Sequence, residues 1–280
     1  MRPIEQQIIL VTGATDGLGR AVASELAGHG ATLLLHGRSE ERGKRTLAEI
    51  KARTGNSKLK YYRADFASLS EVRDLAERIE AEHNRLDVLL NNAALGIDPV
   101  RRVTADGHES TFQVDYLAPY MLSYLLETLL IASAPSRIVN VASAGQAPIN
   151  FDDIMLERSY DGMQAYCQAK LADVMLTIDQ AAELYGTGVT VNCVHPAFNM
   201  PTKIVTPMFT PQSEIADGVR STVRLISDPA IENVTGCYFD QAQEARALPD
   251  AYDQRARARL RAVAEQLTGV SRHRSRSPPN

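Results

Sequence analysis

The sequence predicts an α/β fold, a single doubly wound domain whose parallel sheet carries helices on both faces. Three observations predict it. Short apolar runs bounded by turn residues recur along the chain, and most are followed by a longer stretch with helical spacing of apolar residues. The first run and its helix are joined by a glycine-rich turn. No repeat and no linker composition divides the 280 residues, enough for one large domain with a shielded core.

The elements follow in order. Residues 8–11 (IILV) form the first strand. The chain then turns through Gly13, Gly17 and Gly19 into a helix starting near Leu18, with Leu18, Val22, Ala23 and Leu26 on one face. Residues 31–36 are a second strand, ending in Gly37 and Arg38, and 40–54 its helix. A third strand, 59–63, ends at Asp65. A helix follows from Ser68, with Ser68 or Ser70 as its N-cap. LDVLLNNAA from Leu86 is the fourth strand, and one long helix spans 107–131. RIVNVAS from Arg137 is the fifth strand and ends at Ser143. A helix over 163–185, a sixth strand over 190–195, a helix near 212–226 and a seventh strand near 236–240 complete the sheet. A last helix runs from about 250 to 267. Right-handed crossovers give a seven-stranded parallel sheet in the order 3-2-1-4-5-6-7. The domain covers 1–270, and 271–280 (SRHRSRSPPN) reads as a disordered tail.

Composition narrows the function. Charged residues make up 23% and the net charge is −4, so nothing global points to nucleic acid. MRPIEQQ runs straight into the first strand, and the longest apolar stretch is broken by Pro119, Ser123 and Glu127. The expectation is a cytoplasmic chain with no signal peptide and no membrane span. Cys167, Cys193 and Cys237 are widely spaced and suit buried free thiols, with no metal site.

Strand, glycine turn and helix in that order build a dinucleotide site. Gly13 allows the tight exit from the strand, Gly17 a close approach of backbone to pyrophosphate, and Gly19 close packing of the helix on the sheet. The phosphates face the free N–H groups and positive end of the helix near Leu18. Past the second strand, where an acid would hold the ribose of NAD, the chain reads His36-Gly37-Arg38-Ser39. The Arg38 guanidinium suits a 2′-phosphate, so NADP(H) is favoured over NAD(H). Asp16 adds negative charge nearby. Asp65 is placed to accept from the adenine amino group or to cap the next helix. The amides of Asn91 and Asn92 bridge strand ends, beside the small Ala93 and Ala94. Tyr166 and Lys170 stand four apart on one helix face, after the strand-ending Ser143. A carbonyl receiving hydride needs a proton donor, and the reverse reaction needs a base. A free phenol, with a pKa of about 10, needs a neighbouring ammonium and an oxidised nicotinamide to lower it.

With these residues in place the chain resembles the short-chain dehydrogenase/reductase superfamily from about Ile8 to Leu267. The likeness rests on TGATDGLG from Thr12, NNAA from Asn91, Ser143, and YCQAK from Tyr166. DGHESTFQVDYLAPYML from Asp106, FDD from Phe151, AYCQAKLADVML from Ala165 and GTGVTVNCVHP from Gly186 look closer to its retinol-dehydrogenase-like branch. The resemblance implies a Rossmann-type fold, Tyr166 as acid/base, Lys170 as ribose ligand and modulator of the tyrosine, and Ser143 as substrate orienter. It also implies cofactor contacts from Gly13, Thr15, Asp16, Gly17, Leu18, Gly19, Arg38, Asp65, Phe66, Asn92, Ala93, Pro196 and Thr202, and a homodimer or homotetramer built through the long helices.

Three positions depart from the family pattern. Asp115 stands where the family has an asparagine whose backbone carbonyl holds a water of the proton relay, and its carboxylate is expected to act on Lys170. Pro196-Ala197 replaces Pro-Gly, and Pro201 takes the usual threonine position, with Thr202 one step on. The segments 144–162 and 197–211 supply Ile149, Phe151, Phe198, Met200, Ile204, Met208 and Phe209, which suit a small hydrophobic alcohol or carbonyl substrate. The competing readings are an NAD(H) enzyme of the same type and a cofactor-binding regulator without turnover.

Overall fold

The structure, a computed structural model of the chain, describes residues 1–271. Apart from Ser271, the expected tail lies outside the described residues. Eight strands form one sheet: β1 (Ile8–Val11), β2 (Thr32–Gly37), β3 (Leu59–Arg63), β4 (Val88–Asn91), β5 (Ser136–Val141), β6 (Val189–His195), β7 (Tyr238–Asp240) and β8 (Gln243–Ala245). Their order is β3-β2-β1-β4-β5-β6-β7-β8. The first seven pair in parallel, as expected. The eighth corrects the strand count: it folds back antiparallel on β7 through a turn at Gln241. Its sequence, QEA, sits exposed at the sheet edge, where no apolar alternation is required.

The central strands are apolar throughout because both faces are covered. Side chains alternate between two cores. Ile9, Val11, Leu33, Leu35, Val88 and Leu90 face one layer, packed under α1 (Gly17–Gly28), α2 (Glu40–Thr54) and α8 (Ile215–Ser227). Leu10, Leu34 and Leu89 face the other, packed under α3 (Leu69–Glu82), α4 (Ser110–Phe112), α5 (Ala118–Leu125), α6 (Glu127–Ala132), α7 (Gly162–Glu183) and α9 (Gln254–Thr268). Ser68 caps α3 by accepting from Glu71 N–H.

The long helix expected over 107–131 is instead a broken series. Between α4 and α5 the backbone widens into a π turn over Gln113–Leu117. Pro119, in the first turn of α5, has no N–H to give the carbonyl four residues back, which belongs to Asp115. Helix α7 is buried along most of its length by this same chain, including α9. Among the described residues no helix is long and apolar enough to cross a membrane, and no group of His, Cys, Asp or Glu could hold a metal.

Candidate active site

The glycine turn is fastened to the end of β4. Thr12 Oγ1 accepts from Asn92 N–H (2.8 Å) and Ala93 N–H (3.0 Å), while Asn92 Nδ2 donates back to the Thr12 carbonyl (2.8 Å). The fit is tight. Gly13 has φ 65°, and a Cβ there would stand 2.8 Å from Ala93 Cα. A Cβ on Gly19 would stand 2.4 Å from both the Gly13 carbonyl oxygen and Asn92 Nδ2. Thr15 presses on Gly37 of β2, and Leu18 packs in the first turn of α1. Asp16 caps α1 by accepting from Gly17 N–H (2.9 Å). Its carboxylate also takes Arg42 (3.0 Å) and Lys203. Partial burial opposes the charge, but Lys203, Gly17 N–H and Arg42 outweigh it and hold the carboxyl below its usual range.

At the far end of the cleft Arg38 is exposed and free of ion pairs within the described residues, beside Ser39, the N-cap of α2. Phe66 stacks on His36, with ring centroids 4.1 Å apart. His36 is fully packed: Nε2 meets the Ala64 carbonyl (3.0 Å), and burial brings its pKa down to about 4. Asp65 lines the cleft and accepts Ala67 N–H (3.0 Å) in the turn before α3. Of the two asparagines, Asn92 holds the turn, whereas Asn91 points into the core, donating to Ser123 Oγ (3.0 Å) and Asn140 Oδ1 (2.8 Å).

A single cleft of about 1040 Å³ runs from these residues to Ser143, Tyr166 and Lys170. Ser143, just past β5, acts on the Tyr166 phenol through its hydroxyl, and its Oγ accepts Gly145 N–H (3.0 Å). Lys170 Nζ lies 5.9 Å from the Tyr166 ring centroid and donates to the Val141 carbonyl (3.2 Å). It also meets Asp173 Oδ2 (3.1 Å) and Asp115 Oδ2 (3.4 Å). The second oxygen of Asp115 accepts Leu95 N–H (2.7 Å). Burial acts against the ammonium, but the two carboxylates and the phenol oxygen overcome it and push Lys170 up.

The expected lowering of Tyr166 is not the net outcome in this protein alone. Burial pushes the phenol up, Lys170 and the Ser143 hydroxyl pull it down, and the Asp115 charge works with burial. The balance lies above the usual phenol value because burial, joined by the Asp115 charge, outweighs the pull of the ammonium and of Ser143.

The segment after β6 folds back over the turn. Pro196 lines the cleft, Ala197 is buried, and Thr202 Cγ2 would lie 3.6 Å from a Cβ on Gly17. Phe198, Met200, Ile204 and Phe209 line the cleft as expected. Three residues expected there do not: Ile149 is in the core, Phe151 lies under Arg259, and Met208 is exposed. In their place Ile97 and Val100 after β4, Val114 and Met163 complete the apolar wall. His195 also faces the cleft, and its Nε2 has no hydrogen-bond partner among the described residues.

Sequence reasoning missed Arg42, Lys203 and Asp173. Arg42 follows the Ser39 cap by one helical turn, and Asp173 lies at i+3 from Lys170, spacings that were visible. Nothing in the sequence signals that Lys203, 187 positions away, reaches Asp16.

Residues 7–213 match the family model described as short chain dehydrogenase. The chain is similar to retinol dehydrogenase 14 of Homo sapiens, 35% identical over 94% of this chain and 86% of that protein. Among solved structures it is similar to an uncharacterized protein from Mycobacterium paratuberculosis (TM-score 0.78, 28% identity, 95% of this chain and 94% of the other). It is also similar to a short chain dehydrogenase from Shigella flexneri 2a complexed with NADP (TM-score 0.70, 28% identity, 85% and 98%). The chain belongs to the short chain dehydrogenase family of oxidoreductases, in its retinol-dehydrogenase-like branch.

Proposed function

We propose that this chain interconverts an alcohol and its carbonyl on a small hydrophobic molecule, using NADP(H), with Tyr166 as the acid and base. The observation that carries the reading is the convergence of Ser143, Tyr166 and Lys170 on the same cleft as the glycine turn. The residues present fit a dinucleotide: the Gly13–Ala93 approach leaves bare backbone where a side chain would fill the cleft, next to the N-terminus of α1. Gly13, Thr15, Asp16, Gly17, Leu18, Gly19, Asn92 and Ala93 would hold the pyrophosphate and inner ribose. Asp65 and Phe66 would border the adenine, and Arg38 would take the 2′-phosphate. Tyr166, Lys170, Pro196 and Thr202 would border the nicotinamide end. When bound, the nicotinamide supplies or accepts the hydride. Tyr166 gives its proton to the substrate oxygen in reduction and takes one in oxidation. Ser143 holds that oxygen beside the phenol, and Lys170 favours the phenolate.

The NADP of the Shigella flexneri complex supports the choice of cofactor, as does the absence of an acid at the end of β2. A cytoplasmic location and a homodimer or homotetramer belong to the same proposal. Because α7 is buried within the chain, the oligomer would use other surfaces. The test is a panel of apolar aldehydes and ketones assayed with NADPH and with NADH. Turnover of apolar carbonyls with NADPH is expected. Nucleotide binding with no turnover on any carbonyl would favour the regulator, and preference for NADH would overturn the cofactor assignment.

A further inference from the structure

The Lys170 ammonium is shared by two acids where one would neutralise it. Asp173 Oδ2 stands 3.1 Å and Asp115 Oδ2 3.4 Å from the same Nζ. All three side chains are shut off from water, at 4% exposure for Lys170, 0% for Asp115 and 5% for Asp173. Asp115 Oδ2 has no hydrogen-bond partner among the described residues. Among those residues Lys170 is also the one cation paired with either carboxylate. With both acids ionised, the cluster carries a net negative charge in a dry surround, a state that burial penalises heavily.

We infer that Asp115 and Asp173 hold one proton between them across the Lys170 ammonium at neutral pH, which makes Asp173 a positioning residue for Tyr166. The inference rests on the acid/base role proposed above. The other groups facing the cluster do not relieve it: Glu109 at the start of α4 acts on Asp115, Tyr116 of the π turn and Cys193 of β6 face Asp173, and Tyr166 and Cys167 lie on α7. None of these is a cation. Burial raises both carboxyls while Lys170 lowers them, leaving Asp115 at about 6 and Asp173 at about 7. The pair titrates as a unit, so the shared proton belongs to both. With the proton in place the cluster is neutral and Tyr166 feels the ammonium. When it passes to water the cluster becomes anionic, and the phenol holds its own proton more tightly.

The test has two readouts on the full-length protein. Isotope-labelled aspartate, followed by NMR in the cofactor-free wild type, reads the pair without turnover. One carboxyl-linked transition between about pH 6 and about pH 8 is expected. Asp173→Asn leaves a one-to-one pair, so the Asp115 transition is expected to fall by a unit or more, about tenfold in proton affinity. The pH profile of kcat should lose its ionisation in that window in both Asp173→Asn and Asp115→Asn. Both carboxyls ionised throughout the window in wild type, or an unchanged kcat profile in Asp173→Asn, overturns the inference. A shared transition by NMR in a protein that turns over no carbonyl upholds the proton pair and removes the proposed function instead.

Discussion

Substituting Gly19 by alanine tests the glycine turn at its tightest point. The added methyl would stand 2.4 Å from the Gly13 carbonyl oxygen, and that oxygen belongs to backbone that cannot rotate aside. Ala14 N–H is bonded to the His36 carbonyl (2.8 Å), and the Asn92 amide, also 2.4 Å away, is tied to the Thr12 carbonyl. Relief therefore requires the turn to separate from the start of α1. Overpacking of this kind costs about 1–3 kcal/mol, which lowers Tm by roughly 2–10 °C. If half of that strain is expressed as a shifted turn, nucleotide affinity falls by about twofold to tenfold, since 1.4 kcal/mol is one decade. Gly28 closes the same helix, and a methyl added there would meet nothing within 4 Å, so Gly28→Ala serves as the control. It should raise stability by up to about 1 kcal/mol through helix propensity. The assays are calorimetric titration with NADPH and thermal unfolding. Gly19→Ala protein that binds NADPH as wild type does and melts no lower would refute the packing argument.

Three further outcomes are expected. Arg38→Ala should weaken NADPH by about tenfold to a hundredfold, as loss of a charged hydrogen bond does, with NADH binding unmoved; equal loss for both nucleotides would take Arg38 off the 2′-phosphate. His36 is held neutral, with burial lowering its pKa from the ordinary 6.5 to about 4. A base whose folded pKa is depressed gives stability that is full above the unfolded value and lost as pH falls toward the folded one. Denaturation midpoints should therefore fall from about pH 6.5 toward about pH 4, and His36→Asn should flatten that slope; an equal slope in both proteins would contradict it. Lys203→Ala removes one partner of Asp16 in an exposed pair, so unfolding should change by less than about 1 kcal/mol; a larger loss would show that the loop after β6 depends on this contact.

The fold was legible wherever local pattern and burial agree. The apolar strands β1, β2 and β4, the glycine turn and the amphipathic α3 all carry their period in the sequence. Two elements were not legible, for distinct reasons. The three residues of β8 are polar and lie at an edge, so nothing distinguishes them from a turn. The π turn arises from Pro119 acting on the preceding helix, whereas apolar spacing from 113 to 122 reads as uninterrupted helix. In the site, Ser143, Tyr166 and Lys170 could be read from spacing on single elements. The apolar wall could not, because Ile97, Val100 and Val114 reach the cleft from segments that precede the substrate loops. The net effect on Tyr166 was hidden because it depends first on burial, and α7, with its mixed polar and apolar positions, does not show in sequence how deeply it is buried.

The most direct measurement compares Tyr166→Phe with wild type for both NADPH affinity and turnover of whichever carbonyl proves active. Proton donation by Tyr166 predicts unchanged nucleotide binding and turnover reduced by about a hundredfold to ten-thousandfold, the range for loss of a positioned proton donor. Turnover by the phenylalanine variant equal to that of wild type would contradict it.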